Sequence, residues 1–127
     1  MQNKKILISG AGIAGLALAY WLSHYGFSPT LIERGSALRT GGYKVDIRGI
    51  ALEVIKRMGL YPHISAAKTD MQGASVIDQH GHQIAEMSGD AFNLRVSEDL
   101  EIMRGDLCQI LMEKIKDIEC VFGDSIK

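Results

Sequence analysis

The chain has 127 residues, of which 46% are hydrophobic and 23% charged, with a formal net charge of −1. That length suits one small domain or part of a larger one, and the near-neutral balance excludes a basic nucleic-acid-binding surface. No apolar run reaches the ~20 residues of an integral membrane segment, and Cys108 and Cys120, far apart and in no metal or redox spacing, read as reduced core thiols of a cytoplasmic protein.

The sequence MQNKK followed by a short apolar run looks superficially like a leader peptide, but glycines interrupt the run and no small-residue cleavage site follows. Lys4–Ser9 is instead expected to be a first strand, apolar enough at its centre to be covered on both faces. Ile13–Tyr25 lacks proline and carries apolar residues at helical spacing, and Gly26 ends it. Tyr20 and Trp21 on that helix read as core or helix-packing residues. Pro29 opens a second strand, Thr30–Glu33, where a missing N–H is tolerated. A glycine-containing loop, RGSALRTGGYK, leads to a helix from Arg48 to Met58, closed by Gly59 with Pro62 beyond it. SVIDQHGHQIAEM reads as two short strands around a turn at His80-Gly81. LEIMR is a further extended segment, a helix with Asp106 near its start runs to Lys116, and ECVFG is a last short strand. The order β-α-β, excursion, β-α-β is α/β.

The chemistry lies in Gly10-Ala11-Gly12-Ile13-Ala14-Gly15, placed between the first strand and the first helix. In such a turn the first glycine permits the sharp bend. The second lets a pyrophosphate approach the backbone, and the third lets helix and strand pack closely. The phosphates then meet free N–H groups at the positive end of the helix dipole, so no lysine is needed. Glu33 ends the second strand about 20 residues further on, where a carboxylate takes both hydroxyls of an adenosine ribose. An acid there repels a 2′-phosphate, which makes NADP an unsuitable occupant of this site. The unit does not by itself separate FAD from NAD, since both offer the same ribose and pyrophosphate.

Three segments, ILISGAGIAGLALAYWLSHYGFSPTLIERG, TGGYKVDIRGIALEVIKRMGL and LEIMRGDLCQIL, resemble the N-terminal part of the flavin-dependent aromatic hydroxylases. These are the para-hydroxybenzoate-hydroxylase-like FAD monooxygenases, and the resemblance is greatest to their tetracycline-inactivating branch. It implies a Rossmann-like FAD-binding βαβ domain with a small strand excursion, incomplete relative to the family. In it, Gly10, Gly12, Ala14 and Gly15 surround the FAD pyrophosphate and Glu33 holds the ribose. Arg34 lies beside the adenine, Arg39 contacts the cofactor from the loop, Asp46 lies near the flavin end, and Arg104 reaches the phosphate and ribityl region. A guanidinium fork suits that last role because it binds two oxygens at once.

The resemblance further implies that NADPH or NADH reduces the flavin transiently and that one atom of O₂ enters an aromatic or polyketide-like small molecule. Family members are about three times as long, so residues 1–127 are expected to be an N-terminal portion of the FAD-binding domain. Such a portion is expected to be inactive alone, to hold FAD weakly and to be prone to self-association through an exposed sheet face. Read without the resemblance, Arg34, Arg39 and Arg104 are equally solvated surface charges, and Asp46 an acid favoured at a helix N-terminus. Another FAD- or NAD-dependent oxidoreductase, or a non-catalytic nucleotide-binding module, remains open at this point. His80 and His82 flank Gly81 without a third ligand and read as exposed turn residues rather than a metal site. No nucleophile triad is present in the sequence pattern, and no catalytic residue is assigned.

Overall fold

The computed structural model describes residues 3–69, 73–88 and 98–127. The chain falls into two compact units, one made of residues 1–45 and 102–127, the other of residues 46–101.

In the first unit, β1 (Lys5–Ser9), α1 (Ile13–His24) and β2 (Ser28–Glu33) form the expected βαβ, and β7 (Cys120–Phe122) joins them. The sheet order is β1-β2-β7, and both pairings are parallel. Register puts Ile8, Leu31 and Cys120 side by side on one face. α1 packs on that face, and Ile8 and Leu31 are only 6% and 0% exposed. The opposite face carries Leu7, Thr30, Ile32 and Val121, of which Leu7 is 55% exposed. The expectation that the first strand is covered on both faces is therefore corrected: its apolar residues alternate between a packed face and an open one.

Pro29 is the second residue of β2 rather than the one that opens it. Amides along β2 alternate in direction, with Ser28 donating to Lys4 and Leu31 to Glu119. The missing N–H of Pro29 thus faces the β7 side, just before the pairing of Leu31 with Cys120 begins. α1 closes as its glycine predicts: Phe27 N–H reaches back to the Leu22 carbonyl at 2.9 Å and Gly26 N–H to Ser23 at 3.0 Å, a glycine-terminated helix end that satisfies two late carbonyls. Tyr20 and Trp21 are half-buried and stack with His24 and Tyr25, while Lys114 caps the Tyr20 ring at 5.8 Å, so they are helix-packing residues.

β3 (Lys44–Ile47) and β6 (Leu100–Met103) pair as a two-stranded sheet, and the chain passes from one unit to the other within each of these strands. α4 (Arg104–Lys114) begins directly at Arg104, earlier than its acidic residue suggests, and returns the chain to the first unit. Its Leu107, Cys108 and Leu111 are buried there with Leu16 and Ala19 of α1.

The second unit holds α2 (Ile50–Arg57), α3 (Tyr61–Ala66) and the antiparallel hairpin of β4 (Gly73–Ile77) and β5 (Gln83–Ser88). α2 is two residues shorter at its start than the expected helix, and its end repeats the glycine closure, with Leu60 N–H on the Ile55 carbonyl at 3.0 Å. α3 is a helix where the sequence pattern predicts a stop at Pro62; in its first turn proline loses no helical hydrogen bond. Leu52, Ile55, Met58, Leu60 and Ile64 form the buried side of this helix pair. Glu101 is buried at 6% exposed and accepts a hydrogen bond from the Thr69 hydroxyl at 2.6 Å. No helix among the described residues is long and apolar enough to cross a membrane.

Candidate functional site

The site begins where β1 runs out. Gly10 N–H donates to the Ile32 carbonyl at 2.8 Å, which ties the turn to the end of β2. The next residue, Glu33, reaches back to the turn. Its Oε2 accepts the Ala11 N–H at 2.8 Å and its Oε1 accepts the Gly35 N–H at 2.8 Å. These two bonds, that from Gly35 first, hold the Glu33 carboxyl below the ordinary glutamate range, with Arg39 and Arg34 adding to the effect and partial burial opposing it. Each carboxylate oxygen keeps a second lone pair, so the anchored group still accepts from a pair of neighbouring hydroxyls.

α1 opens without a side-chain cap and without an acid in its first turn. Leu16 N–H is the first to find an intrahelical acceptor, the Gly12 carbonyl at 2.9 Å. The amides ahead of it end the helix as donors carrying the positive end of its dipole. Gly12 is open toward this mouth: a methyl placed on it meets only the Nη2 of Arg104, 3.8 Å away. Gly15 is the opposite case, since a methyl there would overlap the Gly10 carbonyl oxygen and touch Ile8. The second glycine is therefore an opening and the third a packing contact.

Ala11, Gly12, Glu33, Arg39, Arg104 and Cys108 line one cleft at this mouth. A wider opening of about 330 Å³ is lined by Arg39, Thr40, Gly41, Gly42, Tyr43 and Arg104, so both arginines are common to the two. None of the ion pairs among the described residues engages Arg39 or Arg104. Burial raises the Cys108 thiol above its ordinary value, against the opposing field of Arg104 and Arg39. It is an apolar wall of the cleft rather than a nucleophile. The second cysteine, Cys120, is half-buried on β7 rather than a core residue.

Of the residues singled out in the sequence, Gly10, Gly12, Gly15, Glu33, Arg39 and Arg104 come together in the first unit. Ala14 is exposed in the first turn of α1, and Arg34 is exposed beside Glu33. Asp46 belongs to the second unit, where it is exposed and pairs with Arg48 at 2.8 Å. The structure adds Ala11 and Gly35, which anchor Glu33 through main-chain amides, and the cleft residues Ala37, Leu38 and Cys108. Main-chain donors leave no mark on residue type, although a glycine two residues after a strand-ending acid is a usable signal. The histidine pair lies elsewhere, in a turn organised by Asp78, whose Oδ1 accepts the N–H groups of His80 and His82 at 2.8 and 2.9 Å. No group of three metal-ligating side chains occurs among the described residues.

A strand, a glycine turn, an uncapped helix and a strand-ending carboxylate define an α/β Rossmann-like dinucleotide-binding fold. Residues 8–55 match the family described as an NAD(P)-binding Rossmann-like domain. Over nearly its whole length the chain is also similar to flavin-dependent monooxygenases. It is 47% identical over 126 residues to one from an unknown prokaryotic organism, covering 99% of this chain and 33% of that protein. It is 43% identical over 125 residues to one from Legionella longbeachae, covering 98% and 32%. The crystal structure of the tetracycline destructase Tet(51) superposes with a TM-score of 0.86 at 42% identity, covering 98% of this chain and 31% of that one. The chain spans about a third of the length of these relatives.

Proposed function

We propose that this chain binds FAD and forms the N-terminal, cofactor-holding part of an NAD(P)H-dependent monooxygenase that hydroxylates an aromatic or polyketide-like small molecule. The observation that carries the reading is the Glu33 carboxylate fixed against the Ala11 amide, beside a helix mouth opened by Gly12 and faced by Arg104. The residues fit the group: the cradle is one that a Cβ at position 12 would fill, and its donors are main-chain amides and arginine forks suited to two phosphates.

In this reading Glu33 accepts the two ribose hydroxyls of FAD and rejects the 2′-phosphate of NADPH, and NADPH or NADH serves as a transient reductant. Gly12 and Ala14 give the pyrophosphate access to the α1 amides, and Gly10 and Gly15 keep the turn against the helix. Arg39 and Arg104 neutralise the phosphates from the side, and Arg34 lies toward the adenine. When bound, the flavin supplies the redox chemistry and the reaction with O₂; the protein binds, orients and shields it. Asp46 near the flavin end remains part of the proposal on the resemblance alone. Similarity to tetracycline destructases supports a polyketide-like substrate.

Titration of the chain with FAD, NAD and ADP, followed by flavin fluorescence and calorimetry, tests the cofactor. Saturable FAD binding that Glu33→Ala weakens is the expected result, and absence of binding to all three overturns the reading. For the reaction, residues 1–127 fused to the remaining two thirds of a full-length relative are assayed for NADH and NADPH consumption with phenols and polyketides. Consumption that no substrate stimulates, in a fusion that holds FAD, counts against hydroxylation and favours another flavin oxidoreductase.

A further inference from the structure

Two glycine-bearing segments cross at the start of α4. A methyl on Gly105 would lie 2.7 Å from the Gly41 nitrogen, closer than a Cβ carbon approaches a backbone atom, and 3.0 Å from its carbonyl oxygen, a tight contact. A methyl on Gly42 would lie 3.5 Å from both Cβ and Cδ of Arg104, in ordinary contact with its stem. The same crossing is pinned by the Arg104 N–H, which donates to the Tyr43 carbonyl at 3.0 Å. Beyond it, the Arg104 guanidinium stops 3.8 Å from where a Gly12 methyl would stand. All of these residues belong to one unit.

We propose that Gly42 and Gly105 are positioning residues for Arg104: the Gly41-Gly42 turn seats directly on the first turn of α4 and fixes the direction in which the arginine leaves it, toward the mouth of α1. A free arginine has many rotamers, and holding it in one before the ligand arrives removes an entropy loss from binding. Gly105 supplies the close backbone approach, and Gly42, at a φ of 113°, lets the turn double back beside the arginine stem. Gly105 carries no local signal of this role, because a glycine in the first turn of a helix looks like a mere propensity defect. The proposal rests on the cofactor reading for the purpose of Arg104, but not for its placement.

The test is a double-mutant cycle with ADP as the probe, read by calorimetry. Gly105→Ala is expected to weaken ADP binding about tenfold when Arg104 is present, the scale of one charge-assisted hydrogen bond. In an Arg104→Met background it is expected to cost less than about twofold, the range of independent sites. Equal losses in both backgrounds mean a general structural defect and overturn the proposal. If Gly105→Ala does not fold, Gly42→Ala runs through the same cycle, in which the backbone strain of a methyl at φ 113° costs both backgrounds alike and only its contact with the arginine stem differs. A second readout needs no ligand: cross-relaxation between the Arg104 side chain and the Gly12 α-protons, present in the wild type and lost in either glycine variant. If the wild type binds neither ADP nor FAD, the cofactor reading fails, and a cross-peak that survives in the folded variants separately overturns the positioning role.

Discussion

Gly15 touches Gly10 across the turn so closely that a methyl on the one would overlap the carbonyl oxygen of the other. In the middle of a helix, Gly→Ala ordinarily gains about 1 kcal/mol of propensity. Here the contact opposes that gain, and overpacking against a fixed backbone costs about 1–3 kcal/mol or more. Gly15→Ala is therefore expected to lower the stability of the chain by about 2 kcal/mol net. Urea unfolding of the ligand-free protein measures it, and a variant as stable as the wild type contradicts the packing described.

Gly12→Ala separates binding from stability. Its backbone is ordinary for an L-residue and its methyl meets only the tip of a flexible arginine. The change from glycine to alanine at a helix N-cap costs under about 1 kcal/mol. The methyl stands where a phosphate would approach, so FAD binding is expected to fall by about tenfold or more, equivalent to the ~1.4 kcal/mol that a lost close contact readily reaches. Flavin fluorescence titration alongside thermal unfolding checks both halves, and unchanged affinity sinks the assignment of Gly12 to the pyrophosphate.

Glu33 gives the turn a dependence on acid. Its folded pKa lies below its ordinary value of 4.5, because the Gly35 and Ala11 amides donate to the ionised form. A depressed carboxyl stabilises the fold fully above the unfolded pKa and loses that contribution as pH falls through the folded one. Glu33→Gln sets an amide NH₂ against one of the two N–H donors and removes the titration. The stability difference between wild type and Glu33→Gln is expected to be largest above pH 4.5 and to shrink below it. Urea midpoints from pH 3 to pH 7, the range that spans ordinary carboxylate titration, decide the point; a difference that does not change with pH contradicts it.

Ile64 anchors the helix that the sequence reading missed. It is fully buried within the second unit. Ile64→Ala is expected to destabilise that unit by about 2–4 kcal/mol, the cost of a cavity in a packed core. Hydrogen exchange at Ala67, whose N–H is held by the Ile64 and His63 carbonyls, should accelerate more than exchange at Leu16 in the first unit.

What the sequence discloses and what it hides divide along physical lines. The β1-α1-β2 core is legible because alternation, helical spacing and glycine punctuation are local signals, and the turn from Ser9 to Ile13 follows from them. Glu33 is legible as an acid at a strand end, but not its two amide partners, since any residue supplies an N–H. α3 escaped because Pro62 was given a single meaning, helix stop, where its position near a helix start gives it the opposite one. The open face of β1 escaped because burial depends on what else packs there, which a strand of five residues does not encode. The seating of Gly41 on Gly105 joins residues more than sixty positions apart, and no local pattern announces it.

The first unit closes only when the chain comes home. β7 pairs with β2, Gly123 N–H reaches the Gly35 carbonyl at 2.9 Å, and Asp124 N–H reaches the carbonyl of Glu33 at 3.2 Å. During synthesis, the glycine turn is made well before the strand that braces the segment after Glu33. Loop closure over such a span is entropically slow. A nascent chain therefore carries a half-built nucleotide pocket until β7 has been made, and the cofactor is expected to enter only after that point.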